Sequence, residues 1–225
     1  VAGHLNAFSR ISPGNPVEII FSASGTGLAD CTVLSFDYPF VFSVITGLLT
    51  ATGFDIQSGR IFTYRASDRE RRLRPPAWKG IRHSGVPGET RRRIIDHFSG
   101  FLEPGLSRED WRDLFTRELR SVIGLFETGD PDAIAAARRR VNEMVAGRLA
   151  DLHSGTPALY PVQIEIDNSR DATRLTVVFQ DTSAFLYSLS NALSLNGVSI
   201  EHVDIGTTGG NVRDVIDITD ARGEK

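Results

Sequence analysis

The sequence predicts an α+β chain made from one strand-rich unit used twice. Three observations carry this expectation. First, FDYPFVFSVITGLLTATGFDIQSGRIFTY (Phe36 to Tyr64) and QDTSAFLYSLSNALSLNGVSIEHVDIGTT (Gln180 to Thr208) share one strand, helix, glycine, strand order at an offset of 144 residues. Second, Val162, Ile164 and Ile166 alternate with polar residues, the two-residue period of a strand with one buried face. Third, 225 residues with 40% hydrophobic and 24% charged content can bury a substantial core and are not compositionally disordered.

The elements follow in order. Residues 1–15, opening VAGHLNAF, read as a helical tail. Val17 to Ala23 and Cys31 to Phe36 are β-rich runs separated by Ser, Gly and Thr, residues that favour chain reversal. Phe42, Ile45, Leu48 and Leu49 then recur at helical spacing, and Gly53 stands where a left-handed cap is easiest. The strand FDIQSGRIFTY leads into a basic segment, and RRIIDHFSGFL (Arg92 to Leu102) is the expected return strand. Ser107 is the expected N-cap of a helix, with Asp110 in a capping-box-like place and Trp111, Leu114, Phe115, Leu119, Val122 and Ile123 as its apolar face. A second helix, rich in Ala and Arg, runs from Pro131 to about Leu152; its ARRR (Ala137 to Arg140) is the exposed side of an amphipathic helix.

The second copy repeats the pattern. YPVQIEIDNSRDATRLTVVFQD supplies two strands; Leu186, Leu189 and Leu193 mark the helix; Gly197 lies sixteen residues after Asp181, as Gly53 does after Asp37. Gly209 and Gly210 then make a tight turn into VRDVIDITD, where Val212, Val215, Ile216 and Ile218 are the strand formers. Strand, helix, strand, strand, helix, strand is the ferredoxin-like βαββαβ order, an antiparallel sheet with its helices on one face. The resulting map is a tail at 1–15, a first domain at 16–106 with an insertion at 65–91, a helical segment at 107–156 and a second domain at 157–225. That second domain reads as truncated, because ITDARGEK ends before a last helix and strand.

Composition restricts function. No run of eighteen apolar residues and no signal-peptide pattern occurs, so no membrane segment is expected and the chain reads as cytoplasmic. The one cysteine, Cys31, excludes an internal disulfide and reads as a small core hydrophobe. Net charge is −3, yet Arg65 to Arg93 carries ten Lys or Arg against three acids, leaving −10 on the remainder. That segment interleaves Trp78 and His83 with arginines, which would suit nucleic acid, but Pro75, Pro76 and Pro87 break any helix. Composition favours a solvated insertion, or a contact with an acidic face, over nucleic acid. No P-loop, G-x-S-x-G or H-E-x-x-H is present, and His4, His83, His97, His153 and His202 are scattered. The chain carries no catalytic motif and implies no metal or cofactor.

At DYPFVF, GFDI and RIFTY, and again at DTSAFLY, GVSI and DIGTT, the sequence resembles tandem ACT domains, small amino-acid-sensing modules. The likeness is to the regulatory pair of the enzyme family that uridylylates and deuridylylates the PII nitrogen-signalling protein, and it covers roughly Val17 to Leu102 and Tyr160 to Asp220. The resemblance implies an amino-acid ligand, glutamine in that family. Its site would be formed by Asp37, Pro39, Phe40 and Asp55 of the first copy and Asp181, Ser183, Ala184 and Ser199 of the second. In the family the loop before the helix holds a glycine that lets backbone amides approach a carboxylate; here that place is Phe40 or Ala184. Asp55 and Ser199 hold the position that would meet the ligand's amino group, and a carboxylate suits an ammonium well. The resemblance also implies upstream catalytic domains in the same polypeptide, from which the tail at 1–15 would arrive, and a possible homodimer. It makes the chain the regulatory part of a nucleotidyltransferase. Two alternatives stay open: these loops merely turn strand into helix, with Asp37 and Asp181 as caps, or the modules dock proteins without a metabolite.

Overall fold

A computed structural model describes residues 7, 9–12, 14–23, 27–63, 92–152, 161–182, 184–208 and 211–220. The insertion at 65–91 and most of the expected helical tail lie outside these residues. Eight strands form one antiparallel sheet: β1 (Val17–Ala23), β2 (Leu28–Phe36), β3 (Phe54–Thr63), β4 (Arg93–Leu102), β5 (Gln163–Asp167), β6 (Thr173–Gln180), β7 (Ser199–Thr208) and β8 (Asn211–Thr219). Their spatial order is β1-β2-β4-β3-β7-β8-β6-β5. The helices among the described residues are α1 (Val41–Ala51), α2 (Arg108–Glu127), α3 (Pro131–Leu152) and α4 (Phe185–Leu195). Among the described residues no helix is long and apolar enough to cross a membrane.

The two halves of the sheet are related down to single pairs. β3 and β7 meet antiparallel at the centre, and Arg60 faces Asp204, its own counterpart at the 144-residue offset. Both strands bulge at the same place, β3 between Ile56 and Ser58 and β7 between Ile200 and His202. Phe36 pairs with Arg93 and Gln180 with Asn211, so Arg93 corresponds to Asn211 and Asp96 to Asp214. Thr208 pairs with Asn211 across two residues, whereas the first half spans the same gap through its basic insertion.

Local chemistry sets the helix ends. The Ser107 hydroxyl accepts from the Asp110 amide at 3.3 Å, the expected N-cap. Gly53 and Gly197 take φ 84° and 73° just past α1 and α4, where an L side chain would be strained. α1 and α4 begin differently: neither has a side-chain cap, and their N-cap residues are Phe40 and Ala184. Asp37 and Asp181 are therefore not caps; each lies three residues too early.

The core lies between the sheet and the helices. α1 is its centre and touches α2, α3 and α4. Trp111 of α2 packs against Phe21, Phe54 and Phe115 and donates from Nε1 to the Thr52 hydroxyl at 3.1 Å. Cys31 is buried in β2. Along α3, Ala137, Val141 and Val145 face inward, while Arg140 pairs with Glu118 on α2.

Three expectations change. β2 begins at Leu28 rather than Cys31, because its register with β1 and β4 continues that far. The edge beside β2, which a closing strand of a βαββαβ unit would take, is held by β1; β5 holds the corresponding edge beside β6. Each half is thus strand, strand, helix, strand, strand, and the second half has the same four strands as the first. Finally, Val162, Ile164 and Ile166 do alternate, but they are 43%, 54% and 65% exposed. Their counterparts in the first half are Val17, Ile19 and Phe21, which α2 covers; no described helix covers the second trio.

Candidate functional site

A cavity of about 190 Å³ opens where the two halves meet, lined by residues of both. The first half contributes Thr50 from α1 and Phe54, Asp55 and Ile56 from β3. The second contributes Asp181, Thr182 and Ala184 before α4, Phe185 and Leu186 in its first turn, and Asp214 from β8. The lining has three carboxylates and no basic residue among those described.

The α4 entry is shaped for an approaching group. Ala184 holds φ 64° and Phe40 φ 68°, the two non-glycine residues with positive φ among those described. Such a conformation costs an L residue roughly 1–2 kcal/mol, so the fold keeps a glycine-type backbone twice without the glycine. Past Ala184 the first amides of α4 lack a side-chain cap, and uncapped helix N-termini attract anions.

The carboxylates sense one another. Asp181 reaches solvent, yet the surrounding protein raises its pKa by desolvation, and the nearby Asp55 charge adds to the rise. Asp55 accepts from Gln57 Nε2 at 2.9 Å. Asp214 is 1% exposed, and neither of its oxygens has a hydrogen-bond partner. Burial pushes its pKa up to about 7; the Gly206 backbone amide, which faces the carboxyl, opposes this rise, and Asp181 reinforces it.

The corresponding place in the first half is arranged differently. Arg92 reaches from the start of β4 to Asp37, Nε to Oδ2 at 3.4 Å, and forms a two-pronged ion pair with Glu201 of β7. Thr219 donates to the same Glu201 at 3.2 Å. A guanidinium of the chain itself thus bridges the loop acid of one half and a strand of the other. The residue corresponding to Arg92 in the second half is Gly210, so no arginine stands at that position of the sequence.

Of the residues expected at a site, the structure gathers Asp55, Asp181 and Ala184 at one cavity. Asp37 belongs to the Arg92 bridge, Pro39 is exposed in the turn before α1, and Phe40 lies under the Arg138 guanidinium at 3.9 Å. Ser199 starts β7 opposite Thr219, and Ser183 lies outside the described residues. Sequence reasoning missed Arg92 and Asp214. The second was visible in VRDVIDITD, where Val212, Asp214 and Ile216 share the inward face. Among the described residues no group of His, Cys, Asp and Glu is placed to hold a metal ion.

No family model matches the chain, and no solved structure does. A curated protein does match: the bifunctional uridylyltransferase/uridylyl-removing enzyme of Rhodopseudomonas palustris (strain ATCC BAA-98 / CGA009), 26% identical over 200 residues. The match covers 87% of this chain and 18% of that enzyme. It supports a distant relation to that protein, through less than a fifth of its length.

Proposed function

We propose that the chain is an amino-acid-sensing regulatory region, of the tandem ACT kind, in a nucleotidyltransferase of the uridylyltransferase type. One observation carries the reading: a cavity at the junction of two equivalent halves, with Asp55 from one and Asp181 from the other. The ligand's ammonium group would sit between these carboxylates, and its carboxylate would meet the N-terminal end of α4, where the helix dipole favours an anion. A ligand held by both halves binds one relative arrangement more tightly than another, which is the requirement for transmitting a signal. The relative's name supports a link to uridylyl transfer, and the resemblance makes glutamine the first ligand to try. The catalytic domains it would regulate are proposed to be partners within one longer polypeptide.

Because Arg92 already engages Asp37, one ligand per chain is expected. Calorimetry of the chain with glutamine at millimolar concentration should give a stoichiometry near one, and Asp55→Ala should abolish the heat while leaving the fold intact. Absence of any amino-acid binding would sink the sensor reading. A second reading, a protein-docking or dimerising module without a metabolite, is favoured by the bare apolar stripe of Val162, Ile164 and Ile166 on edge strand β5.

A further inference from the structure

We propose that the cavity takes a guanidinium group from outside the chain, held between Asp55 of the first half and Asp181 of the second. This goes beyond the amino-acid reading, since only the two carboxylates and the repeat that places them are needed.

The first half shows the same arrangement with its cation in place. There the acid before the helix, Asp37, and an acid on the opposing strand, Glu201 of β7, both meet the Arg92 guanidinium. Each site thus draws one carboxylate from each half of the sheet: Asp37 with Glu201, and Asp181 with Asp55. The strand acids are not strict counterparts. At the 144-residue offset Glu201 corresponds to Gln57, and these are the residues skipped where β7 and β3 bulge, a device that re-aims a side chain. Gln57 donates to Asp55 at 2.9 Å, so in β3 the carboxylate stands two residues earlier and the bulged amide orients it. The acids are kept in number while the arginine is not: Gly210 stands at the position of Arg92, and no described lining residue is basic.

Asp55 and Asp181 are both exposed, so an external group can meet them without entering the core. The Asp181 pKa is raised by desolvation and by the Asp55 charge; a cation between the two offsets that rise. The form of the cation follows from the first half. Arg92 sets Nη1 and Nη2 on the two Glu201 oxygens and Nε toward Asp37 at 3.4 Å, so one flat group spans two carboxylates. An ammonium is a compact charge without that fork. Phe179 and Phe185, with ring centroids 3.8 Å apart, stand in the lining and offer a guanidinium an aromatic face.

Free arginine and an arginine side chain of a partner polypeptide carry the same group, and NMR titration of the full chain separates them. The probes are N-acetyl-L-arginine methylamide, N-acetyl-L-lysine methylamide, L-arginine, L-lysine and L-glutamine, on the wild type, Asp55→Asn and Asp181→Asn. An arginine probe should bind at least about tenfold more tightly than its lysine counterpart, and each substitution should weaken it at least about tenfold, the scale of one hydrogen bond to a charged group. Binding of the capped arginine assigns the group to a polypeptide side chain; binding of L-arginine alone assigns it to the free amino acid. The proposal is overturned if neither arginine probe exceeds its lysine counterpart, or if the binding survives both substitutions. Glutamine binding without arginine binding also overturns it and leaves the amino-acid reading standing, whereas arginine binding without glutamine binding supports it and removes glutamine as the ligand.

Discussion

Asp214 ties folding to proton uptake. Its carboxyl has an ordinary value of 3.8 and a folded value of about 7, so between those limits the native state holds the proton and the unfolded chain does not. The sign follows: its stabilising contribution is complete below about pH 4 and is lost as pH rises toward 7. At about 1.4 kcal/mol per unit, the loss is at most ~4 kcal/mol. Asp181 is the charged side chain that faces Asp214 from the loop before α4, and the Gly206 amide faces it from β7. Asp214→Asn stays neutral throughout, so its stability advantage over wild type should grow between pH 4.5 and pH 8. Urea unfolding at the two pH values measures this, and an unchanged difference would rule the coupling out. Asp96, still more buried and raised by burial and by Asp37, moves in the same direction in both proteins and cancels from the comparison.

At the scale of elements, the insertion between β3 and β4 can be separated from the sheet. Thr63 pairs with Ile94 before the insertion, and the matching strands of the second half close with two residues between Thr208 and Asn211. Replacing 65–91 by Asn-Gly and retaining Arg92 leaves a three-residue loop between Tyr64 and Arg93, a common hairpin length. The shortened chain should stay folded, with a thermal midpoint at or above that of the parent, since a shorter loop costs less entropy to close. Aggregation or loss of the cooperative melt would mean that the segment belongs to the core. The register behind this experiment was legible in the sequence: the 144-residue offset, Gly53 with Gly197, and the return strand at RRIIDHFSGFL all reflect local periodicity and turn chemistry. Cover of the sheet was not. Val162, Ile164 and Ile166 have the same alternation as Val17, Ile19 and Phe21, and only the placement of α2 leaves one trio covered and the other bare. The site shows the same division. Asp55, Asp181 and Ala184, which the resemblance named, come together at one cavity, whereas the Arg92 bridge depends on β3 meeting β7, a contact between segments more than a hundred residues apart.

For the whole molecule, the question is whether the two halves fold as one. β3 and β7 make the sheet continuous, the Arg92 ion pair with Glu201 crosses the seam with both partners largely buried, and α1 of the first half packs on α4 of the second. Gly47 sits at that packing: a Cβ there would lie 2.6 Å from Val141 Cγ1 on α3 and 2.8 Å from Tyr187 Cδ2 on α4. No larger residue fits unless the Val141 and Tyr187 side chains give way, and overpacking of this kind costs roughly 1–3 kcal/mol. Gly47→Val should therefore destabilise both halves together, although the substitution lies in only one. Native-state hydrogen exchange can follow Val33 in β2 and Val177 in β6, both fully buried. Their amides should report the same opening free energy in the wild type, and Gly47→Val should lower both equally. If Val33 loses protection and Val177 keeps it, the halves are separate folding units and the seam is only a contact; equal loss makes the junction, and the cavity within it, part of one cooperative structure.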